Sequence, residues 1–261
     1  MILSGKTVVV SGVGPGLGRE IATCALRDGA NVVIAARTES KLTEIAKRLD
    51  PSRERVLPFA ADVTDPESCE ALMQAAVGRF GALHAVVNVA ALDAIFGTLE
   101  STSDEDWRRS LEMNVIGTMH VARSAVPQLE ASGGGSIVLI GSQAMWLPPK
   151  MPQLAYGSAK GALLSALSPM AQELGPKGIR VNMVVPTWMW GPPVEAYTNW
   201  QAKERGIPPE EVKAEIVANM PLGEMPADED VAEAVVFFCS DRARLITGET
   251  LMVNAGELLR N

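Results

Sequence analysis

Short apolar runs rich in β-branched residues alternate along this chain with longer segments of helical periodicity, and no other sequence feature limits its fold as strongly. Such alternation is typical of βαβ units, in which helices bury parallel strands on both faces. It predicts strands at residues 7–11, 31–35, 56–60, 85–88, 136–140, 180–185 and 250–253, and helices at 18–28, 40–49, 66–80, 103–130, 153–174 and 228–239. Because crossover connections are right-handed, we expect a Rossmann-like, doubly wound α/β fold with seven parallel strands and helices on both faces.

One long segment, residues 187–226, interrupts the alternation. The length of 261 residues fits a single domain spanning 1–261, so the segment lies inside that domain. It is rich in Pro, Trp and Met and contains one predicted helix, at 210–219. Connections of this length in a compact domain usually serve function, and we therefore interpret 187–226 as a substrate-binding lid.

Charge and cysteine content exclude several classes of function. Asp and Glu outnumber Lys and Arg by 31 to 23, which disfavours nucleic acid and anionic membranes as partners. The three cysteines lie far apart and only two histidines, His84 and His120, are present, so neither a disulfide framework nor a metal site is expected. The first apolar run is far shorter than the roughly 20 residues that span a bilayer. We expect a cytoplasmic protein.

A glycine-rich turn follows the first predicted strand and opens the first predicted helix. Its glycines are Gly12, Gly14, Gly16 and Gly18. Glycines allow the backbone to approach a pyrophosphate closely, and the helix N-terminus supplies free N–H groups and partial positive charge. The order of strand, turn and helix is the one that a dinucleotide site requires, whereas a tight structural turn is the alternative interpretation.

The spacing of Gly12, Gly16 and Gly18 resembles that of the short-chain dehydrogenase/reductase family, in its compact single-domain branch. Further similar motifs follow in order over nearly the whole chain: Asp62-Val63, Asn88-Val89-Ala90-Ala91, the set Asn114, Ser142, Tyr156 and Lys160, and Ile246-Thr247-Gly248. The resemblance implies a nicotinamide cofactor held by Gly12, Gly14, Gly16, Leu17, Gly18, Arg37, Thr38, Asp62, Val63, Asn88, Ala90, Tyr156, Lys160, Pro186 and Met189. The chain departs from the family pattern at several positions, one of them Thr187, which follows Pro186 in place of the usual glycine.

The same resemblance assigns catalytic roles to Asn114, Ser142, Tyr156 and Lys160. Tyr156 and Lys160 are four residues apart and should share one helix face. As an acid or base near neutral pH, Tyr156 needs a pKa roughly 2 to 3 units below its usual value of about 10, which the Lys160 ammonium and an oxidised nicotinamide would favour together. Ser142 would donate a hydrogen bond to the substrate oxygen, and Asn114 is similar to the family asparagine that holds a water behind the lysine. The Tyr-x3-Lys spacing argues against the enoyl reductase branch.

The identity of the cofactor depends on the tip of the second strand. An acidic side chain there accepts hydrogen bonds from the adenosine ribose, whereas an arginine pairs with a 2′-phosphate. This chain has Arg37 and Thr38, with no acid before Glu39. We therefore favour NADP(H), and NAD(H) remains open.

Aromatic and methionine residues concentrate where a substrate pocket is expected. Six of the twelve aromatic residues lie between positions 146 and 200. We predict substrate contacts from Gln143, Trp146, Met151, Trp188 and Trp190, which favour a hydrophobic ketone or secondary alcohol of steroid, terpenoid or aryl type. The alternatives are a β-ketoacyl reductase of fatty-acid or polyketide metabolism and a non-catalytic, cofactor-binding regulatory protein. The family resemblance also implies a homo-oligomer, a tetramer or dimer, that associates through the long helices.

Overall fold

A computed structural model describes residues 1–148 and 151–259 and confirms the predicted fold class. Its parallel sheet has the strand order β3-β2-β1-β4-β5-β6-β7. The strands are β1 (Thr7–Ser11), β2 (Asn31–Ala36), β3 (Val56–Ala60), β4 (Ala85–Asn88), β5 (Gly135–Ile140), β6 (Ile179–Pro186) and β7 (Thr250–Val253). The order reverses between β1 and β4, and in open α/β sheets ligands bind outside the carboxyl ends of the strands at such a point.

Helices cover both faces of the sheet. They are α1 (Leu17–Arg27), α2 (Glu39–Leu49), α3 (Pro66–Phe80), α4 (Asp104–Leu111), α5 (Gly117–Ala131), α6 (Leu154–Leu174), α7 (Pro192–Arg205), α8 (Pro209–Val217) and α9 (Asp228–Cys239). One hydrophobic core lies between the sheet and α1, α2 and α9, and a second lies between the sheet and α3, α5 and α6. The central strands are therefore buried on both sides, as their nearly continuous apolar sequences require.

Local sequence signals set several helix ends. Asp65 caps α3 by accepting a hydrogen bond from the Glu67 N–H at 3.0 Å, and Pro66 occupies the first helical position. The same helix ends at Gly81, whose φ of 85° is left-handed. Ser103 caps α4 in the same way, accepting from the Asp106 N–H at 3.1 Å.

The predicted helix at 103–130 is interrupted. Residues Glu112–Ile116 form a π-helical turn between α4 and α5, with Asn114 at its centre. Its sequence keeps a helical periodicity, so the sequence pattern did not reveal the extra residue in the turn. Isolated π-turns of this kind occur frequently at functional sites.

The predicted lid contains two helices rather than one. Its second helix, α8, overlaps the predicted 210–219, whereas α7 begins at the Pro192-Pro193 pair and was not predicted. The two ends of this segment are joined, because the Trp190 N–H donates a hydrogen bond to the Pro226 carbonyl at 2.9 Å. The lid has its own apolar cluster, formed by Ile216, Met220 and Met225 with Trp188, Val194, Tyr197, Val217 and Ala255 packed against them.

The two histidines take structural positions. His84 Nδ1 accepts a hydrogen bond from the Thr7 N–H at 2.9 Å, and His120 Nδ1 lies 3.3 Å from the Val63 carbonyl. Within residues 1–148 and 151–259, no helix is long and apolar enough to cross a membrane. All three cysteines are buried as free thiols, and burial raises the pKa of Cys239 to about 12.

Candidate active site

A cavity of about 390 Å³ opens at the carboxyl ends of β1, β2, β3 and β4, at the point where the strand order reverses. Six of the predicted cofactor residues line it: Gly12, Gly14, Arg37, Asp62, Val63 and Ala90. The cavity is also lined by residues that were not predicted, namely Ser11, Val13, Ala35, Ala36, Ala61, Val89, Ala91, Asp93 and Met113. Most of these are immediate neighbours of predicted positions, so the sequence had located the strand ends but not every wall of the cavity.

The glycine-rich turn is fixed by contacts that tolerate no side chain at two of its positions. Gly12 has a φ of 88°, and a Cβ there would lie 2.2 Å from the Ala90 nitrogen. A Cβ on Gly18 would lie 2.6 Å from the Gly12 carbonyl oxygen, so the turn and α1 pack directly against each other. Gly14 differs, because no atom lies within 4 Å of its hypothetical Cβ and the residue faces the cavity. The turn therefore leaves room for a ligand at Gly14.

Gly16 and Leu17 begin helix α1. Gly16 is the N-cap residue, and Leu17 is the first helical residue, with its side chain buried in the core. The helix thus presents its N-terminus at the end of the glycine-rich turn, where unpaired N–H groups favour an anion.

Arg37 and Thr38 lie at the tip of β2, as predicted. Arg37 is exposed and lines the cavity, and it makes no ion pair with any residue whose structure is described. Thr38 is the N-cap residue of α2, yet its side chain makes no capping hydrogen bond. A guanidinium and a hydroxyl are therefore available side by side at the carboxyl end of β2.

Asp62 and Val63 follow β3. The Asp62 carboxylate accepts hydrogen bonds from the Thr64 N–H at 3.0 Å and from the Thr64 hydroxyl at 2.8 Å. These bonds, with a smaller contribution from the positive charge of Arg37, hold the Asp62 pKa below its usual range. Val63 is buried beside them. Asp62 is therefore an ionised, oriented acceptor at this wall of the cavity.

Asn88 ends β4 and is nearly completely buried, at 5% exposure. Its Nδ2 atom has no hydrogen-bond partner in the structure, although the Ser11 hydroxyl lies 3.3 Å from its Oδ1. A buried amide donor without a partner is costly, and such groups call for an explanation. Here the donor lies at the switch point of the sheet.

Ser142, Tyr156 and Lys160 come together beyond the end of β5. The Ser142 hydroxyl lies close enough to the Tyr156 phenol to act as a hydrogen-bonding group that lowers its pKa. Lys160, at 3% exposure, places its Nζ 5.7 Å from the Tyr156 ring centre and donates to the Ile140 carbonyl at 2.7 Å. Since Ile140 is the last residue of β5, this bond fixes the lysine at the carboxyl edge of the sheet.

Burial shifts the pKa values of Tyr156 and Lys160 in opposite directions. It raises the pKa of Tyr156 to about 12, and the hydrogen-bonding effect of Ser142 offsets only part of this rise. It lowers the pKa of Lys160 to about 8, with the nearby Asp93 carboxylate acting in the other direction. The fall in the tyrosine pKa that the chemistry requires is therefore not produced by the chain alone, because burial outweighs the effect of Ser142.

Asn114 is fully buried in the π-turn, with 0% exposure. Its Oδ1 accepts from the Leu92 N–H at 3.0 Å, and its Nδ2 donates to the Leu92 and Ser110 carbonyls, each at 3.0 Å. The side chain thus ties the loop after β4 to α4. The Asn114 carbonyl accepts a hydrogen bond from the Thr118 hydroxyl at 2.8 Å.

Asp93 is a site residue that the sequence analysis missed. It lies in the loop that Asn114 holds, it lines the cavity, and its charge acts on both Tyr156 and Lys160. Its backbone carbonyl accepts a hydrogen bond from Gln153 Nε2 at 2.6 Å, which links the loop to the start of α6. No motif contains this residue, but its position shortly after a strand at the switch point could have identified it.

The predicted substrate residues are distributed between the segment from Ser142 to α6 and the start of the 187–226 segment. Trp146 is half-buried against the second core, and Trp188 packs on Tyr197 with ring centres 5.1 Å apart. Trp190 is 36% exposed and lies under the Lys213 ammonium, which is 3.9 Å from its ring centre. Met151 lines a separate cavity of about 170 Å³ together with Tyr197, Gln201, Arg205, Val212, Glu215 and Ile216.

Gln143, which was predicted to contact substrate, is 5% exposed, and both ends of its amide are engaged within the chain. The predicted cofactor residues Pro186 and Met189 lie at the end of β6 and just after it. Pro186 is buried, and Met189 packs against the first core.

Comparisons with known proteins agree with this geometry. A family model described as enoyl-(acyl carrier protein) reductase matches residues 12–257. Dehydrogenase/reductase SDR family member 4 of Pongo abelii is 33% identical over 257 residues, covering 97% of this chain and 88% of that protein. The chain belongs to the short-chain dehydrogenase/reductase family. It is therefore related to oxidoreductases over almost its whole length.

Other members of the short-chain dehydrogenase/reductase family match equally well. The 2-(S)-hydroxypropyl-CoM dehydrogenase 3 of Xanthobacter autotrophicus is 32% identical, with 97% of each chain covered. The solved structure of a short-chain type dehydrogenase/reductase from Mycobacterium ulcerans superimposes with a TM-score of 0.90 at 29% identity, covering 100% of this chain and 92% of that one.

The short-chain dehydrogenase/reductase family generally uses a nicotinamide dinucleotide, and the residues present fit such a group. The open space at Gly14, the N-terminus of α1 behind it and the unpaired Asn88 Nδ2 all surround the reversal point of the sheet. A pyrophosphate requires close backbone approach and free N–H donors, and both are available there.

Proposed function

We propose that this protein is an NADP(H)-preferring oxidoreductase that interconverts a neutral, hydrophobic secondary alcohol and the corresponding ketone. One observation carries the proposal: Ser142, Tyr156 and Lys160 converge beyond the end of β5, with the Ser142 hydroxyl acting to lower the Tyr156 pKa and Lys160 Nζ 5.7 Å from the tyrosine ring centre. This group lies at the same sheet edge as the cavity, with Asp93 common to both.

The chain's own residues would handle the proton and the developing charge. In ketone reduction Tyr156 donates its hydroxyl proton to the substrate oxygen, and in alcohol oxidation its phenolate receives that proton. Ser142 donates a hydrogen bond to the same oxygen as negative charge develops on it. A bound nicotinamide supplies or accepts the hydride.

Lys160 and Asn114 support this proton transfer. The Lys160 ammonium stabilises the Tyr156 phenolate by Coulomb attraction, and Ile140 holds that ammonium in position. Asn114 fixes the loop that carries Asp93, through Leu92, and it lies in the π-turn that contacts α6, the helix of Lys160. A water held at that turn would complete the route by which a proton leaves.

The preference for NADP(H) is supported by Arg37 and Thr38. A planar guanidinium without an ionic partner pairs with a phosphate in two parallel hydrogen bonds. The adjacent Thr38 hydroxyl makes no capping bond and is available as a second donor. An acidic residue that would accept hydrogen bonds from an unphosphorylated ribose is absent from the tip of β2.

The substrate class is supported by charge and by apolar surface. Asp93 places a carboxylate near the reacting hydroxyls, which disfavours anionic substrates. Trp146 and Met145 line the loop after Ser142 as half-buried apolar side chains, and Trp188 lies at the start of the lid. Neutral steroid, terpenoid or aryl compounds present the complementary surface.

A substrate panel tests the proposal. Steroid and aryl ketones, an acetoacetyl thioester and small polar sugars are each assayed with NADPH and with NADH, by following the reduced nicotinamide. We expect the highest kcat/KM with a neutral hydrophobic ketone and NADPH. Turnover restricted to sugars or to acyl thioesters would contradict the proposed substrate class, and the latter result would favour the β-ketoacyl reductase alternative.

Substituting the tyrosine tests the chemistry itself. Tyr156→Phe removes the proton donor and should lower kcat by about 10²- to 10⁴-fold, the usual contribution of a general acid. Ser158→Ala, which removes an exposed hydroxyl from the same helix, is the matched control and should keep wild-type kinetics. Full activity in Tyr156→Phe would show that the proposed mechanism is wrong.

A further inference from the structure

Four polar side chains from three distant parts of the chain form one hydrogen-bonded group beside the active site. We call this group, made of Gln143, Thr187, Asn254 and Glu257, the tail network. Asn254 and Glu257 follow β7 near the C-terminus, Gln143 follows Ser142, and Thr187 follows the last residue of β6. The tail network therefore joins three strand ends at the edge of the sheet where the reaction is proposed to occur.

The amide of Gln143 is held at both ends. Its Nε2 donates to a Glu257 carboxylate oxygen at 2.8 Å, and its Oε1 accepts from Asn254 Nδ2 at 2.8 Å. Because a carboxylate can only accept, the contact with Glu257 fixes which end of the amide carries the nitrogen. Gln143 and Asn254 are 5% and 6% exposed, so water does not compete strongly for these bonds.

Glu257 joins two loops through one oxygen. The carboxylate oxygen that accepts from Gln143 also accepts from the Thr187 hydroxyl. Glu257 makes no ion pair with any residue in the described ranges. Among the described residues, these two hydrogen bonds are the polar contacts of its carboxylate.

Both loops lead directly to residues of the proposed mechanism. Gln143 is bonded covalently to Ser142, whose hydroxyl acts to lower the pKa of Tyr156. Thr187 is followed by Trp188, which packs on Tyr197 in the lid. The C-terminal residues Asn254 and Glu257 therefore hold, by hydrogen bonds, the residue that follows the serine and the residue at the start of the lid.

We propose that Glu257 is a positioning residue, which acts through Gln143 on the orientation of Ser142 and through Thr187 on the start of the lid. The inference rests on the proposed function, because it assigns a role to groups that support the Ser142 and Tyr156 hydroxyls. It gives the chain's C-terminal segment a part in the reaction although that segment contributes no group to the cavity lining.

Kinetics of two substitutions at Glu257 test the proposal. Glu257→Ala removes the shared acceptor, and we expect kcat and kcat/KM to fall together by about 10- to 100-fold, since a small displacement of a catalytic group has effects of this size. The Kd of NADPH, measured by titration calorimetry, should stay within about twofold because the tail network does not line the cavity. Glu249→Ala, which removes an exposed carboxylate just before β7, is the control.

The conservative variant separates positioning from simple destabilisation. The side-chain oxygen in Glu257→Gln can still accept from both Gln143 and Thr187, so kcat should recover to within about fivefold of wild type, the neutral bonds being weaker than charge-assisted ones. Wild-type kcat in Glu257→Ala, or a Glu257→Gln variant as slow as Glu257→Ala, would overturn the proposal.

Hydrogen exchange tests the same contacts without any substrate. In the full chain, Glu257→Ala should raise exchange at the backbone amides of residues 144–147 and 188–191, with α1 unchanged. Thr187→Val, which is close to isosteric, should raise it only at 188–191. Unchanged exchange in both loops would overturn the positioning role. If the wild-type protein reduced no carbonyl compound while Glu257→Ala still raised exchange in both loops, the proposed function would be wrong. The structural role of the tail network would still stand.

Discussion

At the scale of single residues, the clearest physical effect is that burial shifts the pKa values of two neighbouring side chains in opposite directions. Burial raises the pKa of Tyr156 to about 12 and lowers the pKa of Lys160 to about 8. In both cases burial disfavours the charged form, which is anionic for the phenol and cationic for the amine. The site thus holds a protonated tyrosine, ready to donate, beside a lysine whose charge depends on pH just above neutrality.

The lowered pKa of Lys160 predicts a stability that depends on pH. Between pH 8 and 10.5 the unfolded chain binds more protons at this residue than the folded chain does, so its contribution to stability increases with pH in that range. Relative to Lys160→Met, the wild-type free energy of unfolding should rise by about 2 kcal/mol between pH 8 and 10. Urea unfolding of both proteins measures this difference, and a difference that is constant with pH would contradict the prediction.

Arg37 predicts cofactor discrimination. Arg37→Ala should raise the Kd of NADPH by about 10- to 100-fold, the effect of losing charge-assisted hydrogen bonds to a phosphate, and should change the Kd of NADH by less than about threefold. Arg48→Ala, an exposed arginine on α2, serves as the control. Equal weakening of both cofactors in titration calorimetry would mean that Arg37 does not read the 2′-phosphate.

At the scale of elements, the turn between β1 and α1 combines tightly packed and open glycines. Gly12 and Gly18 are required by contacts within the protein, whereas Gly14 borders empty space in the cavity. A side chain at Gly14 should therefore interfere with a ligand and not with folding. Packing within the protein and space for a ligand are thus required at different positions of the turn.

Gly14→Ala tests this separation. We expect its free energy of unfolding to change by less than about 1 kcal/mol, and its Kd for NADPH to rise by roughly tenfold, because overpacking typically costs about 1–3 kcal/mol. The control is Gly78→Ala on the exposed face of α3, where a Cβ also meets nothing within 4 Å. A destabilised Gly14→Ala variant with unchanged cofactor affinity would contradict the prediction.

Sequence periodicity predicted the elements of the sheet well but failed where contacts or an altered helical geometry decide the structure. The seven strands were correct to within one residue at every end, because their apolar sequences reflect burial on both faces. The π-turn at Asn114 was missed because an inserted residue leaves the local composition helical. Helix α7 was missed because Pro192 and Pro193 were interpreted as part of a loop, although proline is well tolerated in the first helical turn.

In the candidate site, sequence position located some residues and not others. Gly12, Arg37 and Asp62, which were predicted from their positions after strands, line the cavity. The sequence could not reveal that Gln143 is engaged by Glu257, since 114 residues separate the two and no motif contains either. Long-range polar contacts of this kind become visible only when the strand ends are brought together.

At the scale of the whole molecule, several large apolar side chains remain exposed along the helices around the π-turn. Leu111 and Ile116 are 37% and 43% exposed, and Leu154 at the start of α6 is 38% exposed. Isolated exposed apolar residues are common on protein surfaces, but a group on long helices is a candidate contact between subunits.

This surface predicts self-association. We expect the wild-type protein to sediment as a dimer or tetramer, and Ile116→Asp to shift it toward the monomer, because an isologous contact would bring the charge in from both subunits. Sedimentation velocity measures both. Thr23→Asp, which adds the same charge on the exposed face of α1, is the control. A monomeric wild-type protein would contradict the expectation.

The placement of the tryptophans has a practical consequence for spectroscopy. Four of the five, Trp146, Trp188, Trp190 and Trp200, belong to the loop after Ser142 or to the lid. The intrinsic fluorescence of the unlabelled protein therefore originates mainly from the region where substrate is proposed to bind, and hardly at all from the nucleotide half of the sheet. Residues 187–226 therefore carry an intrinsic fluorescence probe, and emission measured during a substrate titration reports on the surroundings of their tryptophans.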